Sequence, residues 1–110
     1  MGLLDGIFGG GKTLSAAQAK AEMDTDKDLA IVDVREPGEF KGGHIPGAKL
    51  MPLQTLANLA PSEIPDKATR VLVYCKAGGR AASAVRVLEQ LGYTNAISFG
   101  GIDGWPYEIV

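Results

Sequence analysis

Apolar runs and helical patterns alternate along this chain. Three runs are apolar throughout and rich in branched side chains, which is typical of strands buried on both faces of a sheet. These predicted strands are "LAIVDV" (29–34), "VLVY" (71–74) and "AISF" (96–99). Shorter strands are predicted at 12–13 and 48–51.

Helical signals separate the strands. "SAAQ" offers a capping box between Ser15 and Gln18, which predicts a helix from there to about Met23. "AASAVRVLEQLGY" carries apolar residues at helical spacing and predicts a helix from about Ala81 that stops at Gly92.

The segments between these elements are rich in glycine and proline. "EPGEFKGGHIPGA" is predicted to be mostly loop, with one helical turn at 39–40. A short helix is predicted over 53–59, and Pro61 and Pro65 are expected to stop it. The order of elements favours an α/β fold, an open and mostly parallel sheet of about five strands with helices on both faces. Residues 12–110 are expected to form one domain, and residues 1–11 a flexible lead-in.

Composition narrows the class of protein. The chain has 110 residues, 45% of them hydrophobic, and eleven basic against thirteen acidic residues give a net charge of −2. Without a basic stripe, nucleic-acid binding is not expected. The N-terminus has no pattern typical of an export signal or a membrane span, so a cytoplasmic protein is predicted. A monomer is expected because the domain is small. The single cysteine rules out an internal disulfide, and no metal or cofactor is expected.

That cysteine, Cys75, directly follows the predicted strand 71–74 and opens the loop "CKAGGR" before a helix. In an open α/β sheet, ligands bind at the carboxyl ends of strands, and a helix N-terminus favours an anion. Gly78 and Gly79 can take backbone angles closed to other residues, which would turn successive N–H groups inward. The same amides, with Arg80 and Lys76, would stabilise a thiolate. The loop therefore predicts a nucleophile site.

The sequence resembles the rhodanese-like sulfurtransferases, in their single-domain form. Three stretches carry the resemblance over nearly the whole chain: "IVDVREPGEFKGGHIPGA", with its D-x-R, E-F and G-H-I-P-G-A elements; "VYCKAGGRAASA", with C-x-x-G-x-R; and "FGGIDGW", with G-G-x-x-x-W.

The resemblance implies a mechanism. Cys75 would attack the sulfane sulfur of a small anionic donor such as thiosulfate and become a persulfide. Cyanide, a small thiol or a protein acceptor would then remove the sulfur. Arg80 would hold the loop and add positive charge, and Lys76 would attract the donor. The loop from Lys76 through Ala77, Gly78 and Gly79 to Ala81 would bind the anion. Ala81 replaces a serine that many members have, a change that catalysis should survive.

Two other functions stay open. A persulfide carrier or interaction module in a sulfur relay needs the same loop and is not separable by sequence. A cysteine phosphatase or an arsenate reductase is the weaker interpretation, because those enzymes have a longer loop than the four residues between Cys75 and Arg80.

The other motif residues are expected to be structural. Asp33 and Arg35 flank a strand end and can pair with each other or with facing loops. His44, the only histidine, lies in "GHIPGA", where the resemblance implies a structural hydrogen bond. A thiolate stabilised by amides also needs no base.

"GIFGGGKT", residues 6–13, matches the phosphate-binding pattern G-x-x-x-x-G-K-[ST]. A working phosphate loop follows a buried strand, but only "MGLLD" precedes this one. Nucleotide binding is therefore not expected.

Overall fold

A computed structural model describes residues 12–110. The strands are β1 (Ala30–Asp33), β2 (Lys49–Leu50), β3 (Val71–Cys75) and β4 (Ala96–Gly101). The helices are α1 (Ala16–Thr25), α2 (Pro37–Lys41), α3 (Leu56–Glu63) and α4 (Gly79–Gln90), and a 3-10 turn follows β4 at Ile102–Gly104. The predicted lead-in (1–11), and with it most of "GIFGGGKT", lies outside the described residues.

The four strands form one parallel sheet in the order β2-β1-β3-β4. The predicted α/β fold is confirmed, with four strands in the described range 12–110 rather than about five. The strand predicted at 12–13 is a single parallel bridge between Thr13 and Ser98, where the Leu14 N–H donates to the Ser98 carbonyl at 2.9 Å. One such bridge is too short to count as a strand.

Alternating side chains of β3 supply two cores, one on each face of the sheet. Val71, Val73 and Cys75 face a cluster that includes buried residues of α3 and α4. Leu72 and Tyr74 face a second cluster, which receives a buried alanine of α1 and Trp105 from beyond β4. Because both faces are covered, β3 is buried along its whole length, as the apolar run 71–74 predicts.

Helix α3 differs from its prediction at both ends. Residues 53–55 form a turn instead of helix, with the Thr55 N–H donating to the Pro52 carbonyl at 2.9 Å. Pro61 lies inside the helix and does not stop it. Proline costs a helix one hydrogen bond, but Pro61 is exposed, while Leu56, Ala60 and Ile64 are buried at a spacing of four residues. Burial of that stripe carries the helix past the proline.

The other boundaries shift by a few residues. The capping box of α1 is confirmed, since Ser15 and Gln18 exchange hydrogen bonds at 2.8 and 3.0 Å, and α1 runs on to Thr25. Helix α4 begins at Gly79, two residues before the predicted start at Ala81. Cys75 is the last residue of β3 rather than the first of the loop.

Candidate active site

The sulfur of Cys75 lies at the carboxyl end of β3, beneath the loop that leads into α4. It accepts hydrogen bonds from the N–H of Gly78 at 3.0 Å and from the N–H of Ala81 at 3.4 Å. Its thiol also lies 3.9 Å from the Gly100 carbonyl oxygen. The residue is 1% exposed, so its sulfur is almost fully shielded from solvent.

The loop turns at Gly78, which has φ of +120° and is the N-cap of α4. Gly79 is not among the glycines with positive φ, so the expectation that both glycines take such angles is right for Gly78 and wrong for Gly79. Within residues 12–110, the N–H groups of Ala77, Gly79 and Arg80 have no protein acceptor. These amides remain able to donate to an anion at the N-terminus of α4.

The end of β4 packs directly against this loop. A Cβ atom added to Gly101 would overlap the carbonyl of Lys76, so the two backbones meet where no side chain fits. The Asp103 N–H donates to the same carbonyl at 3.1 Å. The side chain of Lys76 binds the Asp103 carboxylate, with Nζ–O distances of 3.0 and 3.2 Å. Lys76 is thus held from both its backbone and its side chain.

Arg80 lies in the first turn of α4 and is paired with Glu39 of α2. Its Nη1 and Nη2 donate to the two carboxylate oxygens at 2.7 and 3.1 Å. Glu39 also accepts from the Glu36 N–H at 2.9 Å. The Arg80 guanidinium, helped by this backbone bond, lowers the pKa of Glu39 to about 2, and Glu39 in turn raises the pKa of Arg80. The charge of Arg80 is therefore balanced by a carboxylate.

Asp33 and Arg35 form a buried ion pair at the end of β1. The guanidinium Nη2 donates to the Asp33 carboxylate at 2.7 Å and to the Gly43 carbonyl at 2.7 Å. The pair raises the pKa of Arg35, chiefly through these hydrogen bonds to Asp33. Beside it, the Tyr74 hydroxyl accepts from the Ile45 N–H at 3.1 Å, and burial raises the pKa of Tyr74. These contacts join β1, β3 and the "GHIPGA" loop.

The side chain of His44 contacts Phe40 of α2. Its ring stacks on Phe40 with a centroid distance of 3.7 Å, and its Nδ1 lies 3.0 Å from the Phe40 carbonyl oxygen. Its backbone exchanges hydrogen bonds with Val110 at 3.0 and 2.9 Å. In the part of the chain that the structure describes, no hydrogen bond joins His44 to Cys75.

The structure thus brings the loop 75–81 together with residues that the sequence patterns do not assign to the site. Glu39 and the pair Gly100–Gly101 lay within stretches already noted, the E-F and G-G-x-x-x-W elements, so a signal for them was present. Asp103 occupies an unspecified position of the second element, and only its contact with Lys76 reveals it.

Residues 12–110 contain neither a membrane-spanning helix nor a cluster of metal-ligating side chains. No helix there is both long enough and apolar enough to cross a membrane. No three histidine, cysteine, aspartate or glutamate side chains in that range converge as metal ligands would.

Comparison with known proteins places this arrangement in a family. The family model for the rhodanese-like domain matches residues 15–107. The probable adenylyltransferase/sulfurtransferase MoeZ of Mycobacterium tuberculosis is 36% identical over 102 residues, which is 90% of this chain but only 26% of MoeZ. The thiosulfate sulfurtransferase PspE of Escherichia coli is 35% identical over 71 residues, covering 64% of this chain and 68% of PspE.

A solved structure agrees with the sequence matches. The structure described as a rhodanese with anions from E. coli superimposes with a TM-score of 0.71 at 32% identity. The match covers 74% of this chain and 96% of that one. With its parallel sheet, its cysteine loop and these relatives, the chain belongs to the rhodanese-like domain family.

Proposed function

We propose that this protein is a sulfurtransferase that carries a sulfane sulfur on Cys75 as a persulfide. The observation that carries the proposal is the position of the Cys75 sulfur, which accepts N–H groups from Gly78 and Ala81 at 3.0 and 3.4 Å. Such donors stabilise a thiolate, the form of cysteine that acts as a nucleophile. The names of several relatives, PspE among them, point to the same reaction.

The reaction would proceed in two displacements. The Cys75 thiolate attacks the outer sulfur of thiosulfate, the sulfur–sulfur bond of the donor breaks, and sulfite leaves with the electron pair. An acceptor then attacks the terminal sulfur of the persulfide and the Cys75 thiolate is released. Cyanide becomes thiocyanate in this step, and a thiol becomes a persulfide.

The unpaired amides of the loop support the intermediate. The terminal sulfur of a persulfide is anionic. The N–H groups of Ala77, Gly79 and Arg80 have no acceptor in the described part of the chain and can donate to it. Donors that are already oriented stabilise such a charge without reorganisation. Because Cys75 is 1% exposed, a donor that ends in a single projecting sulfur atom fits better than a tetrahedral phosphate. This argues against the phosphatase interpretation.

Intact-mass measurement after incubation with thiosulfate tests the proposal. We expect the wild type to gain one sulfur atom and to lose it to cyanide as thiocyanate. Cys75→Ser should gain none, and its turnover should fall by more than about a thousandfold. Its folding should change little, since an oxygen can accept the same two N–H groups.

The outcomes separate the candidate functions. A wild type that gains no sulfur would contradict both the enzyme and the carrier. Sulfur that loads rapidly from a cysteine desulfurase, with only slow turnover of thiosulfate and cyanide, would identify a carrier in a sulfur relay.

A further inference from the structure

The active-site loop carries two cations, and each is paired with an acidic residue from another part of the chain. Arg80 binds Glu39 through two hydrogen bonds, and about a third of each side chain is exposed (35% and 31%). Lys76 binds Asp103 on the surface, and the two side chains are 60% and 54% exposed. The positive charge that this loop presents to solvent is therefore smaller than its two cationic residues suggest.

The two pairs differ in how readily they exchange partners. A bidentate pair between an arginine and a carboxylate is directional and strongly held. An exposed pair between a lysine and an aspartate contributes little and opens at small cost. Lys76 is accordingly the cation that can leave its partner for an incoming anion.

The backbone keeps Asp103 beside the loop whether or not Lys76 is bound. Its N–H donates to the Lys76 carbonyl at 3.1 Å, and Gly101 packs against the same carbonyl. When Lys76 turns toward a donor, the Asp103 carboxylate stays nearby as an unbalanced negative charge.

We propose that Asp103 is a specificity-determining residue that competes with anionic sulfur donors for Lys76. It disfavours doubly charged donors such as thiosulfate relative to singly charged donors with the same terminal sulfur. This inference rests on the proposed sulfur transfer through Cys75.

Aromatic thiosulfonates provide the matched donor. The Cys75 thiolate attacks their terminal sulfur, the sulfur–sulfur bond breaks, and a sulfinate leaves with the electron pair. The bond broken is the same as in thiosulfate, while the donor carries one negative charge instead of two. For each donor, the kcat/KM of a variant is compared with that of the wild type for the same donor. The size of the aromatic group therefore does not affect the comparison.

Asp103→Asn is the direct test, with kcat/KM measured for thiosulfate and for benzenethiosulfonate. The variant removes the negative charge of Asp103, which we take to lie about 8 Å from the bound donor. Its removal should raise kcat/KM for thiosulfate about fourfold at an ionic strength of about 10 mM and about twofold at about 100 mM. For the singly charged donor the gain at about 10 mM should be about twofold, because the Coulomb energy is halved.

Two further variants complete the test. Lys76→Gln should lower kcat/KM, more for thiosulfate than for benzenethiosulfonate. Asp24→Asn is the matched control, since Asp24 forms a similar exposed pair with Lys20 at 2.8 Å on α1, and it should leave both values unchanged.

Equal changes for the two donors in Asp103→Asn, or no change, would overturn the inference while the wild type still loads sulfur on Cys75. A wild type that loads no sulfur would instead refute the proposed function itself. The two failures are therefore distinguishable.

Discussion

Two loops leave neighbouring strands at the same edge of the sheet, and they differ in how fully their polar groups are paired. After β1, the buried carboxylate of Asp33 takes the Arg35 guanidinium, which also reaches the Gly43 carbonyl. After β3, the loop turns the Gly78 and Ala81 amides toward the Cys75 sulfur, and other amides of that loop have no acceptor among residues 12–110.

The difference indicates that the loop after β1 has a supporting role, while the loop after β3 can bind a ligand. A loop whose buried side-chain donors and acceptors are all paired is rigid and offers a ligand little. A loop that keeps amides free at a helix N-terminus can bind an anion, provided that its neighbours hold it in shape. The first loop and the end of β4 are those neighbours, and three substitutions test the division.

The largest effect is expected from breaking the buried pair. Asp33→Asn would leave the Arg35 guanidinium buried without its counter-charge, and we expect a loss of about 3–5 kcal/mol in the free energy of unfolding. Urea denaturation measures it. Much of this loss should be recovered in the double variant Asp33→Asn/Arg35→Met, because no unpaired charge is then buried.

The stabilities of Asp33→Asn and of the double variant decide whether the buried ion pair holds this loop. A single variant as stable as the wild type would mean that the pair does not hold this loop. The exposed Asp24→Asn variant is again the control, and its unfolding free energy should change by less than about 1 kcal/mol.

A smaller loss of stability is expected from a substitution that introduces a clash between β4 and the loop 75–81. In Gly101→Ala the new Cβ would overlap the Lys76 carbonyl, so the loop must shift. Gly101 has φ of −150°, which any residue adopts, so the cost is steric. We expect a loss of about 1–3 kcal/mol in stability and a fall of about ten- to a hundredfold in kcat/KM for sulfur transfer.

Gly38→Ala in α2 is the control for this prediction, since an added Cβ there meets nothing within 4 Å. It should keep full activity and full stability. A Gly101→Ala variant with wild-type turnover would show that the loop does not depend on its contact with β4.

The smallest effect on stability is expected at Glu39, which joins α2, the helix after β1, to Arg80 of the loop 75–81. Its folded pKa of about 2 lies below the ordinary value of 4.5, so its contribution is complete above pH 4.5 and is lost as the pH falls toward 2. Because the pair is partly exposed, Glu39→Gln should cost about 1 kcal/mol or less at neutral pH.

Urea denaturation near neutral pH and at about pH 3 checks this prediction, and the gap between wild type and variant should narrow at the lower pH. Glu63→Gln, in the exposed pair with Lys49, should show almost no gap at either pH. A gap that stays constant or widens in acid would contradict the assignment.

Much of the fold follows from local patterns. The apolar runs located β1, β3 and β4, and the Ser15–Gln18 capping box located the start of α1. The patterns were wrong where burial decides a boundary. Pro61 predicts the end of the helix, but the burial of Leu56, Ala60 and Ile64 carries α3 past it.

The position of the candidate site could be predicted from the sequence, but the residues that pair with its two cations could not. The position of Cys75 between a strand and a helix follows from the order of elements along the chain. The partners of Arg80 and Lys76 do not, because Glu39 lies 41 residues away in sequence from Arg80, and Asp103 lies 27 residues from Lys76. Charge alone made Arg80 and Lys76 look like free cations.

By itself, the sequence determined the nature of this protein: a parallel α/β domain with one cysteine at the end of a central strand, before a helix whose N-terminus favours an anion. These properties depend on residue type and on neighbours in the chain. Only the tertiary structure decided which amides reach the sulfur, that Gly78 and not Gly79 makes the turn, and that both loop cations are paired. Those facts depend on distances between segments that are remote in sequence, and packing alone sets such distances.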